Sequence, residues 1–388
     1  MNSSTPSPAA QRLERLAAFL REDPSNPALL ADACDAAIAC GAHDRAEDFI
    51  KSGERLAADP AQWTFRRARL AMARNDLTSA AQTLEGLLAS GGPHPVLAHD
   101  LAYVRLLQGD AEAGRALLQP WMDQDRTSGL PADQQQALQV LWLRARHRLE
   151  RLEDALEWAR ARLQQGTLFP AAQGVASLVA LDLDDQHTAL AMADAALAAD
   201  PAQLEALVAR GSIALSQGEV PLAKQLLELA VTRHPADGRA RGVLGLVNLH
   251  EMDLPSAQAH LERAAQAMPD DADTRNALGW ARLLQGDRAG AVEAFGKSVD
   301  INAESAETHA AMGLALAMGG EESRSRTHLD HADRLDPRNA TARFARGVLA
   351  GATGEPRSLE AVARELRSGG GLSGRLRQLL SGAARRRN

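Results

Sequence analysis

The chain has 388 residues, a formal net charge of -7 and 45% hydrophobic residues, of which aromatic ones make up only 3% of the sequence. So mild an acidity argues for solubility and against a partner such as nucleic acid or anionic lipid, and a length beyond one ordinary core calls for several domains or for an architecture without a single core. Rich in alanine and leucine, with no sustained alternation of apolar and polar residues, the sequence predicts an all-α protein.

Met1 to Gln11 is polar and proline-containing, with no basic stretch leading into an apolar core. No secretory signal is expected, residues 1–8 are expected to be disordered, and no window approaches the roughly 18 uninterrupted apolar residues of a membrane span. A cytoplasmic location is the expectation. Gln11 to Glu22 forms a lone helix ended by Asp23–Pro24, the second half of a missing repeat that caps the array. Ala46 and Ala80, thirty-four positions apart, mark repeats near 27–60 and 61–94, and a third runs to Trp121. Cys34 and Cys40 are the only cysteines. Six residues apart on one helix, their backbones are roughly 9 Å apart, beyond the reach of a disulfide.

The count then slips by seven residues. Asp123–Gln124–Asp125–Arg126–Thr127–Ser128–Gly129–Leu130–Pro131 is polar and turn-forming, so 122–135 is read as a loop or hinge. It separates an N-terminal block, 9–121, from a C-terminal block, 136–368. Ala155 and Ala159 belong to a weaker repeat near 136–169.

From Ser177 to Pro337 the period is plain. Ser177, Gly211, Gly245, Gly279 and Gly313 follow one another at intervals of thirty-four positions, and Ala189, Ala223, Ala257, Ala291 and Ser325 keep the same interval twelve residues later. Pro201, Pro235, Pro269 and Pro337 make a third series, broken at Ala303. Within one repeat, Asp273 to Leu284 shows helical spacing, Gln285–Gly286–Asp287 breaks it, and Ala291, Val292, Phe295 and Val299 mark a second helix. Gly279 and Ala291 would let the two helices approach closely, Gly286 would turn the chain, and the proline would stop the second helix.

This fixed period, the run Leu278–Gly279–Trp280, and Ala291, Phe295 and the recurrent proline resemble the tetratricopeptide repeat. Leu101–Ala102–Tyr103–Val104–Arg105–Leu106–Leu107–Gln108–Gly109–Asp110 matches Leu278 to Asp287 almost residue for residue, so the resemblance covers about residues 27–350. It implies a superhelical solenoid of about nine to ten stacked antiparallel helix pairs, in which each repeat packs only on its neighbours. A tenth repeat, near 340–368, keeps Gly347 alone. The tail at 369–388 begins with Gly369–Gly370–Gly371 and is read as a capping helix or flexible end. From Arg364 to Asn388 it carries seven arginines against the single acid Glu365, which leaves a membrane surface or acidic partner as its functional reading.

No phosphate-cradling loop, nucleophile elbow or paired-cysteine metal site is present. His328 and His331 sit one turn apart with Asp330 between them, but no third ligand follows from the spacing, so no metal and no cofactor are expected. The chain is read as non-catalytic.

The resemblance implies that a partner segment binds in the concave groove lined by the first helix of each pair. Phe65, Arg69, Tyr103, Arg144, His147 and Arg148 make the earlier half of that line polar and partly basic. Leu246, Leu249, Trp280, Leu283, Leu314 and Met318 make the later half apolar, with Trp280 the leading single contact and each aliphatic member read first as packing between repeats. Relatives that grip a terminal carboxylate use groove lysines and asparagines, whereas here Asn276 is alone and lysine occurs only at Lys51, Lys224 and Lys297. The expectation is therefore a scaffold for a protein or peptide segment: an adaptor, assembly factor or chaperone. The alternative is an accessory or regulatory subunit of an enzyme or of a secretion or envelope-assembly complex, docking through its convex face or tail. An unpaired apolar end helix leaves room for self-association.

Overall fold

The structure, a computed structural model, describes residues 7–56, 59–123, 126–127 and 129–350. Among the described residues there are twenty helices and no strand. A lone helix, α1 (Pro8–Glu22), is followed by the pairs α2 (Pro27–Ala39) and α3 (His43–Arg55), α4 (Pro60–Ala73) and α5 (Leu77–Gly91), and α6 (Pro95–Leu107) and α7 (Ala111–Asp123). Next come α8 (Ala132–Arg148) and α9 (Leu152–Gln164), α10 (Pro170–Asp182) and α11 (Gln186–Ala199), and α12 (Leu204–Ser216) and α13 (Val220–Arg233). Then follow α14 (Gly238–His250) and α15 (Leu254–Ala267), α16 (Ala272–Leu284) and α17 (Arg288–Ile301), and α18 (Ala306–Gly319) and α19 (Glu322–Leu335), and the described residues end with α20 (Ala340–Leu349), in the position of another first helix.

The helix starts are set by short polar side chains. Asn26, Asp59, Gln203, Asp237, Asp271, Ser305 and Asn339 each accept a first-turn backbone N–H of the first helix of a pair. Asp76, Asp110, Asp185, Asp253 and Asp287 do the same for second helices. Each such cap contributes about 1 kcal/mol. Where Glu219 and Glu321 take the second-helix position, no side-chain capping bond forms. The helices α11, α13, α15 and α19 all stop two residues before Pro201, Pro235, Pro269 and Pro337, as the proline series predicts.

The turn inside each pair also keeps count. Gly41, Asn75 and Gly109 form one series, and Glu150, Asp184, Gly218, Met252, Gly286 and Gly320 another, all with φ between 55° and 87°. The glycines adopt this left-handed geometry freely, whereas Glu150 and Met252 do so against a Cβ penalty.

Close approach within a pair comes from the glycine series. A Cβ on Gly211, Gly245, Gly279 or Gly313 would meet Leu227, Leu261, Phe295 or Leu329 at 2.9, 2.6, 2.5 and 2.7 Å respectively. Each of those large side chains lies sixteen residues after its glycine and is buried. The alanine twelve residues on, expected to share the contact, offers mainly its backbone: the Ala257 carbonyl oxygen is 3.4 Å from the Cβ position of Gly245. In the N-terminal part Cys34 holds the equivalent place, with its thiol 3.7 Å from the carbonyl oxygen of Ala46. Burial, and next the neighbouring Asp35, push that thiol up to about 12 against the opposing pull of Arg66 and Arg69.

The chain divides into two compact bodies between Ala155 and Leu156, inside α9. The sequence puts a boundary at 122–135, yet residues 132–135 are the first turn of α8, which packs on α6 and α7 like any other neighbour. The seven-residue slip is taken up by the longer α7–α8 connection and by α8 itself, which has 17 residues where the first helices of the other pairs have 13 or 14. In the N-terminal body, Leu13 and Leu20 of α1 bury against Leu30, Cys34 and Ile50 of the first pair. In the C-terminal body one continuous core runs from Leu178 to Val348. The tail at 369–388, the repeat markers beyond 350 and the residues expected to be disordered at 1–6 lie outside the described residues; Ser7 caps α1, which starts at Pro8, three residues before the expected Gln11.

A candidate partner-docking cleft

In the N-terminal body, three first helices present one face each to a common hollow. Phe65, Arg69 and Met72 on α4 lie four and three residues apart, and Val96, His99 and Tyr103 on α6 three and four apart, the spacing that puts side chains on one stripe. Together with Pro95 and Asp100, and with Asp133, Gln134, Ala137 and Leu138 from the start of α8, they line a cleft of about 570 Å³. Tyr103 is 39% exposed there, among the few large hydrophobic side chains left open to solvent.

The charges around it are sorted by the helix behind. Asp35 on α2 accepts from Arg66 at 2.9 Å and pairs with Arg69 at 3.5 Å. Arg66 is the better buried of the two and lies 5.4 Å over the Trp63 ring, whereas the more exposed Arg69 also lines the cleft. His99 donates from Nδ1 to Asp100 Oδ1 at 2.9 Å, since a carboxylate can only accept. The lining thus carries one cation, Arg69, and two carboxylates, Asp100 and Asp133.

Of the residues singled out from the sequence, Phe65, Arg69 and Tyr103 are brought together here. Arg144, His147 and Arg148 lie further along α8 and are not part of the lining. Arg148 donates to the Leu106 carbonyl at 2.6 Å, an oxygen that also accepts from the Gly109 N–H at 3.1 Å. The apolar set of the C-terminal body is interior. Leu246, Leu249, Leu283, Leu314 and Met318 are all buried, and Trp280 is 4% exposed with its ring edge-on to Phe295 at 5.7 Å. Side chains of successive first helices there join one continuous buried cluster. Arg239 at the start of α14 reaches two repeats back to Asp182 at the end of α10, binding both carboxylate oxygens, one of them at 2.9 Å. Burial pulls the Arg239 guanidinium down and the Asp182 charge more than offsets it, leaving its pKa above the ordinary value.

Sequence reasoning misses His99 and Met72, although the signal for both is present. His99 stands one full repeat after Phe65 and Met72 is three after Arg69, so the same register that selects Tyr103 places both on the wall. The contribution of α8 is hidden by the slip in register. Asp330, beside the histidines considered for a metal, is turned to Arg346 at 2.7 Å. Among the described residues no group of three or more His, Cys, Asp or Glu is arranged to hold a metal ion, and no helix is long and apolar enough to cross a membrane.

No family model matches the sequence. No curated protein matches it either. The fold, however, recurs among solved structures. The hetero-tetramer Cut9–Hcn1 of the APC/C matches over 89% of this chain and 67% of its own, with a TM-score of 0.62 and 13% identity. YrrB, described as a TPR protein with an unusual peptide-binding site, matches over 45% of this chain and 90% of its own at TM-score 0.38 and 20% identity. For pilF of Pseudomonas aeruginosa the shares are 54% and 96%, with a TM-score of 0.42 and 21% identity. With helix pairs recurring along the described residues, at one fixed interval from α10 on, small residues seating large ones across four of those pairs, and the Cut9–Hcn1 likeness over most of its length, the chain has the fold of the tetratricopeptide-repeat proteins.

Proposed function

We propose that this chain is a non-catalytic protein-binding scaffold, an adaptor, assembly factor or chaperone, that holds a segment of a partner protein in the cleft between α4, α6 and α8. The observation that carries the reading is Tyr103, an aromatic side chain left open in a hollow beside Phe65, Met72 and Val96. Such a surface takes an apolar side chain, and Arg69 can fork onto a carboxylate or a carbonyl of the same segment. The two carboxylates on the wall, against one arginine, disfavour a phosphate backbone.

Linear peptides selected from a display library on the full-length chain supply the probe. Tyr103→Ala and Phe65→Ala should each weaken the selected peptides by about 30-fold, the loss of a central aromatic contact of roughly 2 kcal/mol, with helical circular dichroism unchanged. Peptides that bind both variants as tightly as the wild type would overturn the reading.

A further inference from the structure

Three histidines meet at the α18–α19 pair. His309 on α18 is 5% exposed; its Nδ1 is 3.0 Å from Nδ1 of His328 on α19, and its ring centroid is 4.2 Å from that of His331 one turn further on. The hydrogen-bond partners fix where each proton sits. Nε2 of His309 is 3.0 Å from the Ala303 carbonyl, which can only accept, so Nε2 carries the hydrogen and Nδ1 the lone pair. His328 must then donate from its Nδ1. Nδ1 of His331 faces an Arg334 guanidinium nitrogen at 3.0 Å, which can only donate, so this nitrogen also holds a lone pair.

This arrangement closes with neutral rings and has little room for added protons. A first proton can be accommodated between His309 and His328 if His328 shifts its own to Nε2. A second puts N–H against N–H and two cations within 3.0 Å. On His331 a proton at Nδ1 would oppose Arg334. The charged and titratable groups acting on His309 are His331 and Arg334 of α19 and Glu304 of the preceding loop, and those acting on His328 are His309, Arg324 and His331. Arg346 of α20 is committed to Asp330 and Asp333, and neither α16 nor α17 contributes a charge among those acting on either ring.

We propose that the α18–α19 pair is an acid-sensitive closure, shut while the touching His309 and His328 rings are neutral and loosened when they take up more than one proton between them. Burial, the largest influence, and then neighbouring positive charge hold His328 below the ordinary imidazole value; for His309 burial outweighs the Ala303 hydrogen bond. The direction follows from linkage. Above about pH 7.5 neither the closed nor the opened pair binds these protons, and stability is complete. As the pH falls through about 6.5 the opened state takes them up first, and closure weakens until the lower, closed-state values are reached.

Hydrogen exchange of the full chain at pH 7.5 and 5.5, corrected for the intrinsic rate, tests this. Peptides covering 306–335 should open at least tenfold more readily at pH 5.5, the effect of about one displaced proton over one pH unit. The double variant His309→Gln/His328→Gln should reduce that ratio below about threefold, while His260→Gln, which removes another half-buried imidazole in the same body, should leave it in place. Equal opening at the two pH values in the wild type, or an undiminished ratio in the double variant, would overturn the proposal. Should the double variant not fold, titration of the wild-type imidazole resonances decides instead. Two rings titrating below the free-histidine range support it, and both titrating at or above about 6.5 refute it.

Discussion

Gly279 shows what a single residue decides in this architecture. It leaves space for the Phe295 ring, which in turn supports Trp280 edge-on. Gly279→Ala would put a methyl group 2.5 Å from that ring, an overpacking that should cost about 1–3 kcal/mol in urea unfolding of the C-terminal body. Adding Phe295→Leu should recover part of the loss, and a Gly279→Ala variant as stable as the wild type would show that the pair has slack. The sequence revealed the small residue and its period, but not what fills the space it leaves. Sixteen residues on, Leu227, Leu261, Phe295 and Leu329 are themselves periodic, and the pattern becomes readable only once the helices are known to cross there. Cys34 is the same lesson in another form, a thiol that is buried because its position calls for a small side chain.

At the level of the helix pair, the stop and start signals were open to reading and the turn was so only in part. Gly286 marks itself as a turn residue, whereas Met252 in the identical place carries no such mark. Its φ of 61° is imposed by the two helices it joins, the preference of the pair overriding that of the residue. Met252→Gly should therefore raise the midpoint of thermal unfolding by an amount equivalent to roughly 1 kcal/mol, and Gly286→Met should lower it by a similar amount. If the two substitutions had equal effects of the same sign, the left-handed geometry would not be the cause. The loop between α7 and α8 was misjudged in extent for a related reason. Asp133 and Gln134 look like loop residues in isolation, and packing on α6 and α7 makes them the first turn of α8.

Across the whole molecule, the register tells which side of each first helix faces its neighbours, but not how much room remains there. In the N-terminal body the corresponding positions carry Phe65, Arg69, His99 and Tyr103 and leave a cleft. In the C-terminal body they carry Leu246, Trp280 and Leu314 and close on themselves. The Asp182–Arg239 pair belongs to the closed kind. Asp182→Ala would leave a largely enclosed guanidinium without its hydrogen-bonded carboxylate, with Asp237 and Asp271 acting only through their charge, and should destabilise the C-terminal body by about 2–4 kcal/mol, somewhat below a fully buried pair because the Arg239 side chain keeps 30% exposure. Asp182→Leu with Arg239→Met should restore most of it. An Asp182→Ala protein that unfolds like the wild type would assign the pair no structural role.

That same pair sets a limit on shuffling the repeats. A stack whose members touch only the adjacent member tolerates excision of any one cassette, since the cut faces are alike. The clasp from α10 to α14 spans a member in between, so removing 204–237 would bring its two ends one step too close and leave both charges misaligned. Removing 272–305 would leave that clasp in place. Although their sequences are written to one period, the repeats of this chain are not interchangeable parts.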